Sequence, residues 1–149
     1  MYAIDLERTL SCTVVAMDTE LTIQQVAVVT QLSVHTLRYY ERIGLLAPIS
    51  RASSGHRRYS SQDIAWIEFL TRLRATGMPI RQMQQFAELR RQGDPTVSQR
   101  RQLLEAHQQY VQQQLDELSH NLSVIQEKIQ YYKELELQHD TSSFSGSKN

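Results

Sequence analysis

Residues 20–92 carry ten arginines, at 38, 42, 51, 57, 58, 72, 74, 81, 90 and 91, against five acids, Glu20, Glu41, Asp63, Glu68 and Glu88, a local net charge of +5. Residues 93–149 are net −3 and residues 1–19 net −2. The formal net charge of zero therefore conceals a basic middle. Thirteen of the sixteen bases are arginine, whose planar fork matches phosphate oxygens and guanine edges better than a lysine ammonium does. The crowding is tightest at Arg51, His56, Arg57, Arg58 and Tyr59. Basic and aromatic side chains packed together suit the phosphate backbone of a nucleic acid.

Other chemistries lack their residues. No glycine-rich phosphate loop, Ser/His/Asp set or usable carboxylate pair occurs, so no enzyme is expected. His107, His120 and His139 stand too far apart in sequence for a ligand set, and no metal or other cofactor is expected. One cysteine, Cys12, forms no internal disulfide. No apolar run reaches membrane-spanning length. With Asp5 and Glu7 near its start the chain shows no secretory signal, and the cytoplasm is the expected compartment.

Residues 1–20 lack a helical period and read as a loose extension, with Met17 an alternative start. Thr22, with Gln25 at capping-box spacing, opens a helix from Ile23 to about Val29. Thr30-Gln31-Leu32 reads as a turn, and Ser33 caps a second helix from Val34 to about Ile43 that Gly44 stops. Two short helices joined in this way form a helix-turn-helix pattern. Pro48 bars continuation, and Ser53-Ser54-Gly55 reads as the turn of a small hairpin wing. Ser60 and Asp63 cap a third helix running to about Ala75, with Ile64, Ile67 and Leu70 on one face. Pro79 begins a fourth, with Ile80, Met83, Phe86 and Ala87 apolar, and Gly93 ends it.

From about Pro95 to Leu137 the chain is of another kind. Leu104, Gln108, Val111, Leu115, Leu118, Leu122, Ile125, Ile129 and Tyr132 alternate in steps of four and three. This is a coiled-coil seam. A helix of this extent spans roughly 65 Å, more apolar stripe than the rest of a 17.3 kDa chain covers. A second copy is its simplest partner. Its contact residues are then Leu104, Val111, Leu115, Leu118, Leu122, Ile125, Ile129 and Tyr132. The expected organisation is an extension at 1–20, a DNA-binding domain at 21–93, a dimerisation helix at 94–137 and a disordered tail at 138–149.

The run Thr36-Leu37-Arg38-Tyr39-Tyr40-Glu41-Arg42-Ile43-Gly44-Leu45-Leu46, with Pro48, Arg51 and Gly55-His56-Arg57-Arg58-Tyr59 after it, resembles the MerR family of bacterial transcription regulators. The likeness covers about residues 21–137. It implies a mainly α fold: a winged helix-turn-helix domain and a long helix pairing antiparallel in a homodimer. It implies double-stranded DNA as partner, at a two-fold promoter operator lying between widely spaced promoter elements. The family distorts that DNA so that RNA polymerase engages both elements. Matching the motif, His35 and Arg38 would face base edges and phosphate, and Tyr39 a phosphate. Tyr40 would divide between contact and packing. Arg51, His56, Arg57 and Arg58 would meet the backbone from the wing, and Tyr59 would be contact or core. A coiled-coil adaptor or ligand-binding protein that leaves DNA undistorted is the competing reading.

The resemblance is nearest to the branch answering aldehydes and thiol stress, carried by Asp63-Ile64-Ala65-Trp66-Ile67-Glu68-Phe69-Leu70 and Arg90-Arg91-Gln92-Gly93-Asp94-Pro95. That branch commonly has a third-helix cysteine where Arg72 stands here, and Cys12 substitutes poorly. The cysteines of the metal-sensing branch are missing too. A small ligand would instead lie near Trp66, Phe69, Met83, Phe86 and Tyr110.

Overall fold

A computed structural model describes residues 20–47, 51–55 and 58–144. The described chain divides into two compact units, one ending at Leu103 and the other starting at Leu104. The sequence places the division earlier, at Gly93. The difference arises because residues 94–103 stay tied to the first unit: the Thr96 hydroxyl donates to the Leu89 and Gly93 carbonyls, and Arg100 Nη2 reaches Gly93 O at 3.3 Å.

In the first unit α1 spans Ile23–Thr30 and α2 spans Val34–Arg42. The Thr22–Gln25 capping box is present, and the Ser33 hydroxyl accepts from Thr36 N. Gln31 turns the chain in the left-handed region at φ 59°. α3 spans Ser61–Ala75 behind a Ser60–Asp63 capping box, and α4 spans Ile80–Arg91. A short 3-10 turn, Asp94–Thr96, leads into α5, Val97–Phe144. Pro95 thus lies in the turn before the long helix and not within it.

Among the described residues there is no strand. One isolated antiparallel bridge joins Leu21 to Tyr59, with both N–H···O distances 2.9 Å. It fastens the chain just ahead of α1 to the chain just ahead of α3. Gly55 N donates to Ala52 O at 2.8 Å, closing the turn expected of the wing. The expected wing residues His56 and Arg57 lie outside the described residues, as do the extension at 1–19 and Pro48.

The core takes one face from each short helix: Val26 from α1, Leu37 from α2, Ile67 and Leu70 from α3, Met83 from α4, with Leu45, Tyr59 and Met78 between them. These spacings match the apolar period of the sequence, as burial of one helical stripe requires.

The second unit is the rest of α5. All of its residues expected in the seam except Leu104 and Val111 are exposed, from Ile129 at 49% to Leu118 at 67%. The helix continues through Phe144, into the stretch expected as a tail at 138–149, whose residues 145–149 lie outside the described residues. No proline or glycine intervenes before Gly146. The hydroxyls of Thr141, Ser142 and Ser143 bond back to carbonyls of the preceding turn.

Leu37→Ala is expected to destabilise the first unit by about 2–5 kcal/mol, the cost of a cavity where no neighbour can fill in. Urea denaturation followed by circular dichroism measures it.

Candidate nucleic-acid interface

The sequence of α2 divides its side chains between two faces. Leu37 and Tyr40 point into the core, at 0% and 5% exposure. His35, Arg38 and Arg42 are exposed, and Tyr39 is half-buried. Positions three and four apart share a helix face, so these three basic or imidazole side chains form one outward row. The Arg42 guanidinium carbon lies 5.5 Å from the centre of the Tyr39 ring. Arg42 belongs to this surface although the motif does not mark it. Its spacing from Arg38 was the available signal.

The placement of α2 depends on how its C-terminal end is held. Ile43 ends the helix, and Gly44 turns the chain at φ 82°, a conformation that favours glycine. The Leu45 and Leu46 amides both donate to Tyr40 O. The next three carbonyls are then taken by other helices. Gln84 Nε2 donates to Ile43 O at 2.9 Å, Arg91 Nη1 to Gly44 O at 2.8 Å, and Trp66 Nε1 to Leu45 O at 2.8 Å, the last buried. A cation near a helix C-terminus also complements the helix dipole. Arg91 is itself steadied by Glu88, 2.7 Å away, and the bonds from Arg91 and then Gln92 hold the Glu88 carboxyl below its usual range.

Trp66 is fixed in turn by packing. Its ring stacks on Phe86 at 5.9 Å, Phe69 closes the cluster, and the Arg90 guanidinium sits 4.4 Å over the ring centre. The sequence reading missed Gln84 and Arg91 as positioning residues, since the carbonyls they meet lie some forty or more positions away in sequence, and it missed Arg90, which sits over the ring of Trp66 on another helix. Trp66, Met83 and Phe86 are buried here as core.

Other expected contacts divide. Arg51 is exposed, its Nη1 donating to Gly55 O at 3.1 Å, and Arg58 is half-buried. Of the two readings open for Tyr59, contact or core, the structure favours core: it is fully buried, with its backbone in the bridge to Leu21. Tyr40 is likewise a packing residue. Burial raises its phenol above the ordinary value, partly offset by the positive charge of Arg74. Alternation against the Leu21 segment turns Tyr59 inward while Arg58, next to it, remains accessible. Arg72 lines an open cleft of about 190 Å³ with Val29, Thr30, Gln31, Glu68 and Thr71. Among the described residues no group of three or more His, Cys, Asp or Glu is placed to hold a metal ion, and no helix is long and apolar enough to cross a membrane.

These features define a helix-turn-helix protein with a basic outward recognition face. Comparison with known proteins carries the assignment further. The family described as MerR HTH family regulatory protein matches residues 21–89, and the one described as MerR, DNA binding matches residues 64–128. An uncharacterised HTH-type transcriptional regulator of Haemophilus influenzae is 34% identical over 102 residues, 68% of this chain and 76% of that one. The HTH-type transcriptional regulator AdhR of Bacillus subtilis is 44% identical over 82 residues, 55% of this chain and 59% of that one. Among solved structures, HiNmlR, a MerR family regulator lacking the sensor domain and bound to promoter DNA, matches with a TM-score of 0.71 at 31% identity, covering 79% of this chain and 94% of that one. The chain belongs to the MerR family. It is a DNA-binding transcription regulator.

Gln84→Ala combined with Arg91→Ala is expected to weaken DNA binding about tenfold or more while leaving the helical content unchanged. Two bonds that set the pose of α2 are lost, at about 1 kcal/mol or more each. Fluorescence anisotropy with a promoter duplex, paired with circular dichroism, measures both.

Proposed function

We propose that two copies pair through antiparallel α5 helices and set two α2 helices into major grooves of a two-fold promoter operator. The outward row His35, Arg38 and Arg42 on an α2 anchored by Trp66, Gln84 and Arg91 is the observation that carries this reading. His35 and Arg38 read base edges. Arg51 and the wing residues Arg58, His56 and Arg57 hold phosphates, and Tyr39 adds a phosphate contact. Residues 21–93 serve as the reading domain and residues 94–137 as the pairing helix. That the relative HiNmlR is bound to promoter DNA supports promoter DNA as the partner here.

A stiff pair of helices fixes the separation and angle of the two reading heads. Where that geometry departs from straight B-DNA, the duplex must bend, at a cost of about 1–6 kcal/mol for a short site. Arginine contacts to phosphate offset the cost. The protein then acts on RNA polymerase through the shape of the promoter, by binding alone and without catalysis, in the cytoplasm. A ligand that favoured one pose of the two halves would shift transcription by its differential affinity for that pose.

Binding to a duplex containing an interrupted palindrome from its own upstream region is expected to weaken linearly on a log–log plot against salt, with a slope of about 0.9 per phosphate contacted. Arg38→Ala should abolish the preference for that duplex over random DNA, and Arg51→Ala should reduce the slope by about 1 without changing the preference. A coiled-coil adaptor would show neither a slope nor a preference. Circular-permutation gel mobility reads the bend directly, and a duplex left straight in the complex overturns the distortion step.

A further inference from the structure

The open cleft of about 190 Å³ beside Arg72 lies within the first unit, and none of its residues belongs to the surface assigned to DNA. Glu68, Thr71 and Arg72, three and four positions apart on one face of α3, form one wall. Val29, Thr30 and Gln31, the end of α1 and the turn after it, form the other. The space is smaller than the roughly 300–1,000 Å³ of sites for drug-sized molecules, so it suits a ligand of few atoms. Glu68 and Arg72 stand four positions apart with the acid first, the spacing at which such side chains ordinarily pair across a helical turn. Here they do not. Among the described residues neither side chain makes an ion pair or a hydrogen bond. Arg72 is exposed and Glu68 half-buried. Two opposite charges are thus held side by side, each with its bonding capacity unused, on the wall of one cleft.

The polar groups around these charges differ in kind. Both threonine hydroxyls are committed as donors, Thr30 to Val26 O at 2.7 Å and Thr71 to Ile67 O at 2.9 Å. They offer the cleft oxygen lone pairs only. The α1 wall adds further acceptors. α1 ends at Thr30 with no basic residue in its last turn, and the final carbonyls of a helix lack partners within it and carry the negative end of its dipole. Together with Glu68 these oxygens call for a cation. The guanidinium fork of Arg72 and the exposed amide of Gln31 call for a carboxylate. Neither charge suits alone, because a bare anion would stand beside Glu68 and a bare cation beside Arg72. Four residues of helix set the two side chains roughly 6 Å apart, and a short amino acid carries its ammonium and carboxylate a few carbon atoms apart. We propose that the cleft binds a short amino acid as its zwitterion, with the ammonium toward Glu68 and the end of α1 and the carboxylate on Arg72. Val29, 40% exposed, lies against its carbon atoms. The bound molecule ties α3 to Gln31, two positions ahead of the Ser33 cap of α2. The recognition helix then gains a restraint at its N-terminal end, and DNA affinity responds to the ligand. This consequence, unlike the site, rests on the DNA binding proposed above.

Amide NMR titration of the nitrogen-labelled full-length protein tests the site. The probes are glycine, β-alanine and γ-aminobutyrate, with acetate and methylammonium as the two halves. At least one zwitterion is expected to shift the Gln31, Thr71 and Arg72 amides and to saturate at a concentration about tenfold or more below either half. Glu68→Gln and Arg72→Gln should each weaken that binding about tenfold, since each removes a charged partner. Both side chains lie outside the core, so circular dichroism should read the same helical content as in the parent. No saturating shift with any zwitterion up to about 100 mM would overturn the site. So would binding that survives both substitutions, and acetate binding as tightly as the zwitterions would overturn the two-ended ligand. In anisotropy with a promoter duplex, the saturating zwitterion is expected to change DNA affinity about threefold or more. Unchanged affinity at saturation would overturn the coupling to α2. A parent protein that binds no duplex would overturn the DNA reading and leave the site standing on the titration alone.

Discussion

The hold on the C-terminal end of α2 governs the face that α2 turns outward. A helix of nine residues is too short to be stable alone, and its outward face carries exposed His35 and Arg38, which gain nothing from the core. Its direction must come from elsewhere. Two buried side chains, Leu37 and Tyr40, fix one face, and three donors from α3 and α4 occupy the carbonyls that follow the helix. A helix held at one face and one end has little freedom to tilt. Reading a base edge demands that restraint, because hydrogen bonds weaken steeply outside a narrow range of distance and angle.

The same bonds couple the reading helix to the rest of its unit. Trp66 belongs at once to the aromatic cluster with Phe69 and Phe86 and to the end of α2. Arg90 and Arg91 are neighbours on α4, one over the Trp66 ring and the other on the Gly44 carbonyl. A change in the position of α4 would therefore be felt at the recognition face through direct contacts. Part of the arginine excess thus serves to orient α2, and only part of it lies on the outward face of that helix.

The second unit poses the complementary problem. Nothing within α5 covers its row of leucines and isoleucines, and an exposed row of this length marks an interaction surface. Its heptad pattern makes a second copy the natural cover.

Local structure was legible because it depends on neighbours in sequence. The capping boxes at Thr22 and Ser60, the stop at Gly44 and the heptads of α5 each involve residues a few positions apart, and all stand where the spacing predicts them. The row of His35 and Arg38 followed from the period of one helix. Only tertiary structure decided the inward turn of Tyr59, since an aromatic among basic residues suits a phosphate or a core equally until the Leu21 bridge fixes which way the strand-like segment faces. Only tertiary structure brought Gln84 and Arg91 to the end of α2, because hydrogen bonds between residues distant in sequence leave no periodic trace.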